Sequence, residues 1–160
     1  MSKTMKHERI SRKNAIILDA IPENVFHLFG AIDEKKWAFG WNPEIIFPSS
    51  GAQEEGLVFI TQAESQFEKT YTWIATKWDP SRHIAEYTVS TQNRIWQIRI
   101  ECRILQSNQT KAEIIYTYTS LNEEGKKINQ LSLEKIFKDN LRDWERAINH
   151  YLNTGSILEP

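Results

Sequence analysis

The chain contains one cysteine, Cys102, in 160 residues, so no intramolecular disulfide can form. Its four histidines are scattered, and none has the spacing of a metal site with another or with Cys102. Six glycines form neither of the common phosphate-binding loops nor a Gly-x-Ser-x-Gly elbow, and no cofactor is expected. No sign of charge dominates. Twenty Lys plus Arg face 21 Asp plus Glu, a net charge of −1, which argues against polyanion binding and hence against a nucleic-acid partner. No apolar run approaches the ~18 residues of a membrane span, and no apolar leader segment opens the sequence. These absences lead us to expect a cytoplasmic protein without a membrane partner.

Aromatic rings are what the chain has. Six Trp, five Tyr and seven Phe make 11% of it, and their placement follows two periods. After a first expected strand within 9–19, Pro22 opens a short helix to Phe29 that Gly30 stops. A second short helix starts on Asp33 and Glu34, since acids suit a helix N-terminus. The period then becomes two. The stretches 44–47, 57–62, 70–78, 83–91, 94–105 and 111–120 read as strands joined by turns, an antiparallel meander. In 94–105, Trp96, Ile98, Ile100, Cys102 and Ile104 alternate with Gln97, Arg99, Glu101 and Arg103, so one face is buried and one wet. Stretch 70–78 has Tyr71, Trp73 and Ala75 on one side and Ile74 and Trp78 on the other, with the first side expected inward. Beyond Gly125 the period is helical. Leu133, Phe137, Leu141 (or Asn140), Trp144, Ile148 and Tyr151 form one apolar stripe, which predicts a single long helix ended by Gly155. The fold class is α+β: a sheet of six or seven antiparallel strands and a long C-terminal helix that bury each other, with two short helices after the first strand.

The order of elements resembles the START/Bet v 1-like (SRPBCC) superfamily and its helix-grip fold. Local matches are Ile21-Pro22-Glu23-Asn24-Val25-Phe26, Trp41-Asn42-Pro43-Glu44, Trp73-Ile74-Ala75-Thr76-Lys77-Trp78-Asp79-Pro80 and the segment from Trp144 to Leu152. They resemble bacterial members without an assigned activity. The expected domain spans 8–155, with a basic arm at 1–7 and a short tail at 156–160. The resemblance implies a cavity between sheet and C-terminal helix in which apolar or aromatic small molecules are held.

The candidate ligand-binding residues are Trp37, Trp41, Phe59, Trp73, Tyr87, Trp96, Tyr116, Tyr118, Phe137, Asn140 and Trp144. Each ring alone could be core filling. As a set they favour a pocket, because Trp and Tyr have polar ends that pure packing does not require. The expected partner is a small hydrophobic or aromatic molecule. A second reading is an enzyme of the cyclase, aromatase or dehydratase kind, using Tyr87, Tyr116, Tyr118, His83 and Asn140 to polarise a carbonyl and move a proton. A third is an Hsp90-activator-like interaction domain. No carboxylate is recognisable at an inner strand position, and Cys102 reads as an inert core thiol.

Overall fold

The computed structural model describes residues 7–65 and 67–160, with the side chains of 64 and 65 undescribed. Most of the basic arm, residues 1–6, lies outside the described residues. Strand β1 (Arg9–Leu18) is followed by helix α1 (Pro22–Val25), which tightens into a 3-10 turn (Phe26–Phe29), and by a second 3-10 turn (Asp33–Lys36). Then come β2 (Glu44–Phe47), β3 (Val58–Ser65), β4 (Glu68–Asp79), β5 (Ile84–Ser90), β6 (Arg94–Leu105) and β7 (Gln109–Ser120). Two helices finish the chain, α2 (Glu123–Ile136) and α3 (Arg142–Thr154). The seven strands form one antiparallel sheet in the order β1-β7-β6-β5-β4-β3-β2.

The alternation in β6 sets its faces as expected. Trp96, Ile98, Ile100 and Cys102 are buried, whereas Ile104, beyond the cover of the helices, is 61% exposed. In β4 the alternation breaks. A bulge at Thr76 shifts the register between Ala75 and Lys77, so Trp78 pairs with the buried Ala85. An extra residue on one strand turns every later side chain to the opposite face. Trp78 therefore joins Tyr71, Trp73 and Ala75 inside, stacking on Phe26 at 4.6 Å, and Ile74 is left facing out.

The helical third of the chain is in two pieces rather than one. Asn140 and Leu141 both adopt left-handed backbone, with φ of 51° and 63°. Asn tolerates that region better than most residues, and Leu does not. The cost at Leu141 is offset by its complete burial. The break lets α2 lie against β7 while α3 turns along β1.

There the first turns of α3 cover the free edge of the sheet. Glu145 accepts from the Ile17 N–H at 2.7 Å, Arg142 donates to the Ala15 carbonyl at 2.7 Å, and Asn149 bonds both Asp19 N–H and Ile17 C=O. Edge groups that would otherwise template strand addition are thus satisfied within the chain. Gly155, with φ 74°, caps α3 in the left-handed conformation.

Candidate functional site: a two-part aromatic cavity

Sheet register decides which rings meet. One row runs across the inner face as Phe59, Trp73, Val89, Trp96 and Tyr118, and the next as Ala75, Tyr87, Ile98 and Tyr116. Directly paired residues on one face lie close enough for their side chains to touch. Phe59 stacks on Trp73 at 5.1 Å, and Trp96 on Tyr118 at 5.2 Å. The two short 3-10 segments and α3 supply the opposite wall, with Trp37 against Trp144 at 5.9 Å and Trp41 edge-on to Trp73 at 5.6 Å.

The polar ends of these rings are tied off on the segment 28–31. A 3-10 turn leaves its last carbonyls without helical partners. The indole N–H of Trp37 donates to Leu28 O at 2.6 Å, that of Trp41 to Ala31 O at 2.7 Å, and the Tyr87 hydroxyl to Phe29 O at 2.9 Å. Gln53 completes the clamp, donating to the Tyr87 hydroxyl and accepting from Ala31 N–H. Trp73 donates across the strands to Thr61 at 2.9 Å. The polar edges of Trp37, Trp41, Trp73 and Tyr87 are therefore satisfied within the protein.

Between these walls lies an inner chamber of about 300 Å³, lined by Phe29, Ala31, Glu34, Trp37, Ala38, Trp41, Phe59, Trp73, Tyr87, Ile98, Ile100, Tyr116 and Trp144. It adjoins a wider groove of about 820 Å³ under α2, with which it shares Ala38, Trp41, Trp73, Ile98 and Tyr116. Phe39, Phe67 and Leu131, all largely exposed, stand at the groove's rim.

Nine of the eleven residues expected from the sequence line this space: Trp37, Trp41, Phe59, Trp73, Tyr87, Trp96, Tyr116, Tyr118 and Trp144. Phe137 and Asn140 do not. Phe137 is buried against Tyr116 at 5.8 Å and is covered outside by Arg12. Asn140 is exposed in the break between α2 and α3, because a helix that ends four residues earlier no longer carries it inward. His83, the proton-shuttle candidate, sits outside the cavity in a left-handed turn conformation, edge-on to Phe26.

Two polar elements escaped sequence reading. The first is Glu34. Its backbone N–H bonds Gly30 O, and its carbonyl accepts from Trp37 and Ala38. The His27–Asp33 pair, 2.7 Å apart, pins the same turn from outside. The Glu34 side chain faces the inner chamber; its carboxyl has no hydrogen-bond or ion-pair partner among the described residues. The residue as a whole is only partly buried. Burial alone pushes its carboxyl up to about 8, since removal from water penalises the charged form. Asp33 and Glu34 read in sequence as acids at a helix start. The available signal was the three-residue step from Glu34 to Trp37, which puts both on one side of a helical turn.

The second is Arg94. It is 1% exposed and lines the groove. Its guanidinium grips the Glu68 carboxylate at 2.8 and 3.1 Å, donates to Ser132 at 2.9 Å, and lies over the rings of Trp96 (4.4 Å) and Tyr118 (5.4 Å). Glu68 also accepts from Thr91 and Asn93. The charge is thus neutralised where it stands.

Burial raises the hydroxyl pKa of Tyr87, Tyr116 and Tyr118 above the usual tyrosine range, so all three keep their protons. It pushes the Cys102 thiol up to about 12 as well, with Glu101 adding to the effect. That thiol is a poor nucleophile.

No family model matches the chain, and no curated protein matches it in sequence. Solved structures do match it in shape. Norcoclaurine synthase from Thalictrum flavum, in complex with dopamine and hydroxybenzaldehyde, superposes with a TM-score of 0.69 at 12% identity, over 92% of this chain and 88% of that one. Ara h 8.0201 gives 0.64 at 14%, over 92% and 99%. A putative uncharacterized protein from Rhizobium leguminosarum gives 0.61 at 15%, over 92% and 99%. The chain has the Bet v 1-like, helix-grip fold. Among the described residues no helix is long and apolar enough to cross a membrane.

Proposed function

We propose that the protein binds a small hydrophobic or aromatic molecule in the cavity between the sheet and the C-terminal helices. The observation that carries this reading is the chamber and groove themselves. A sealed, dry void costs about 24 cal/mol per Å³, so roughly 300 Å³ would cost at most about 7 kcal/mol if it were both empty and dry; open to the groove, the chamber takes up water or a ligand instead. Rings whose polar edges are already bonded and which still line open space suit an occupant better than simple packing does. The fold likeness adds coarse support, since the matching norcoclaurine synthase structure holds two small aromatic molecules.

An enzymatic reading needs an acid and a base at one point. Of the groups the sequence offered for this, Tyr87 has its proton committed to Phe29 O, His83 and Asn140 lie outside, and Tyr116 and Tyr118 hold their protons tightly; Glu34 alone is left in the chamber as a group that titrates near neutrality, without the second group that a proton relay needs. Holding is favoured over transforming. An interaction-domain reading would suit a groove packed solid, which this one is not.

Native mass spectrometry of the purified protein, combined with thermal shift against a panel of hydrophobic metabolites, tests the proposal. A ligand at 100 times its Kd adds about 2.7 kcal/mol, equivalent to about 6–10 °C in Tm for a chain of this size. No retained mass and no shift across the panel would sink it.

A further inference from the structure

We infer that the occupant of the inner chamber carries a protonated amine, held by the Glu34 carboxylate and the faces of Trp37, Trp41 and Trp144, with its apolar body lying out along the groove. This rests on the ligand-binding reading above and names the chemistry of that same site.

Charge complementarity sets the sign of the ligand. The titratable groups on the inner chamber's wall are Glu34, Tyr87 and Tyr116. No Lys, Arg or His lines it. Ring faces are the negative side of the aromatic quadrupole, which attracts cations and repels anions. A carboxyl aimed among them, with no donor and no cation of its own, makes the chamber a site for positive charge. An anionic ligand would find no partner there. A neutral apolar ligand would leave the carboxyl buried and unsatisfied, which costs free energy that an apolar residue at 34 would not.

The cations nearby are held by other partners or stand outside the chamber, Lys135 lining the groove and not the chamber. Asp143 on α3 adds negative charge near Tyr116. Asp33 on the same turn as Glu34 is already paired with His27 and Lys36, and Arg94 in the groove is paired with Glu68. None of these cations competes for the Glu34 carboxylate.

Orientation follows from the shape. The groove's walls beyond the chamber include Trp96, Ile98, Ile128 and Ile136, which suit an apolar body. The Tyr116 hydroxyl, with no hydrogen bond among the described residues, lies on the shared boundary and is placed to donate to a ligand oxygen at that point.

Tryptamine and tryptophol, which differ in an ammonium against a hydroxyl, separate the possibilities. Binding is measured by isothermal titration and thermal shift on the wild type, Glu34→Gln and Glu34→Asp. The expected result is that tryptamine binds the wild type about tenfold or more tighter than tryptophol. Glu34→Gln should erase that margin and leave tryptophol binding in place, which also shows that the variant is folded. Glu34→Asp should restore part of it. Tryptamine binding should release a proton below pH 8, read as a dependence of the heat on the buffer's ionisation enthalpy, which a merely structural glutamate would not give. Equal binding of both probes, unmoved by Glu34→Gln, overturns the amine inference and leaves the cavity reading standing. If neither probe binds and the metabolite panel is also silent, the cavity reading falls with it.

Discussion

At the scale of single residues, Glu34 carries a cost with a definite sign. Its folded-state pKa is raised from 4.5 to about 8. The unfolded chain therefore releases this proton at lower pH than the folded one, and stability contributed by the neutral form is lost as pH rises from about 4.5 towards 8. Removing the charge should remove the loss. Glu34→Gln is expected to match the wild type near pH 4 and to exceed it at pH 8–9 by up to about 4 kcal/mol, as read by urea unfolding at each pH. A parallel pair of curves would show that water reaches the carboxyl freely. Gly125 is the second residue with a definite sign. In a helix, Gly→Ala ordinarily gains about 0.5–1 kcal/mol. Here a Cβ would sit 2.0 Å from the Asn93 carbonyl oxygen, because α2 begins against the β5–β6 turn, with Asn122 bonded to both Gly125 N and Asn93. Gly125→Ala should instead destabilise by about 1–3 kcal/mol, and a gain in Tm would mean that this approach is loose.

At the scale of elements, legibility tracked whether one residue could change a whole segment's direction. Strand β6 was readable from Trp96 to Cys102, where nothing interrupts its alternation, but not at its ends, where Arg94 is buried and Ile104 exposed. Strand β4 was not, because the bulge at Thr76 shows in no residue type; Thr is a good strand former, and only the pairing of Trp78 with Ala85 reveals the flip. The α2–α3 break was hidden for the same reason. It contains neither Gly nor Pro, and a stripe from Leu133 to Tyr151 keeps its period across it. Asn140 was the cost of that reading, while Trp144 kept its place because α3 resumes facing the cavity. Elements far apart in sequence are joined by Glu68 on β4 and Arg94 on β6, tied to α2 through Ser132 and Asn129. Taking one partner from a buried pair leaves the other charge stranded, at about 3–5 kcal/mol. Glu68→Ala should therefore lower stability by that order and loosen α2 first, measurable as faster amide exchange in 123–136 than in α3. Equal protection of both helices would mean that the pair does not hold α2.

At the scale of the whole molecule, the fold and the cavity's aromatic floor were legible because alternation along each strand fixes which residues face inward, and the pairing of neighbouring strands then brings Phe59, Trp73, Trp96 and Tyr118 into one row. The carboxyl in the chamber was not, because it comes from a 3-10 turn whose inward side depends on how the segment folds over the sheet. That arrangement couples two quantities that a plain core keeps separate. Apolar walls left uncovered lower the stability of the empty protein and add to that of the filled one. Ala38 lies on the boundary of chamber and groove, where a larger side chain would occupy ligand space. Ala38→Phe should fill on the order of 100 Å³ and raise the Tm of the empty protein by an amount equivalent to at most about 2 kcal/mol. The same substitution should abolish the thermal shift produced by any cavity ligand, since the occupant and the new ring exclude each other. The two effects have opposite value for function and must appear together. A variant that gains stability yet still responds to ligand would place the bound molecule elsewhere. One that loses both would mean the ring has strained the wall instead of filling the space.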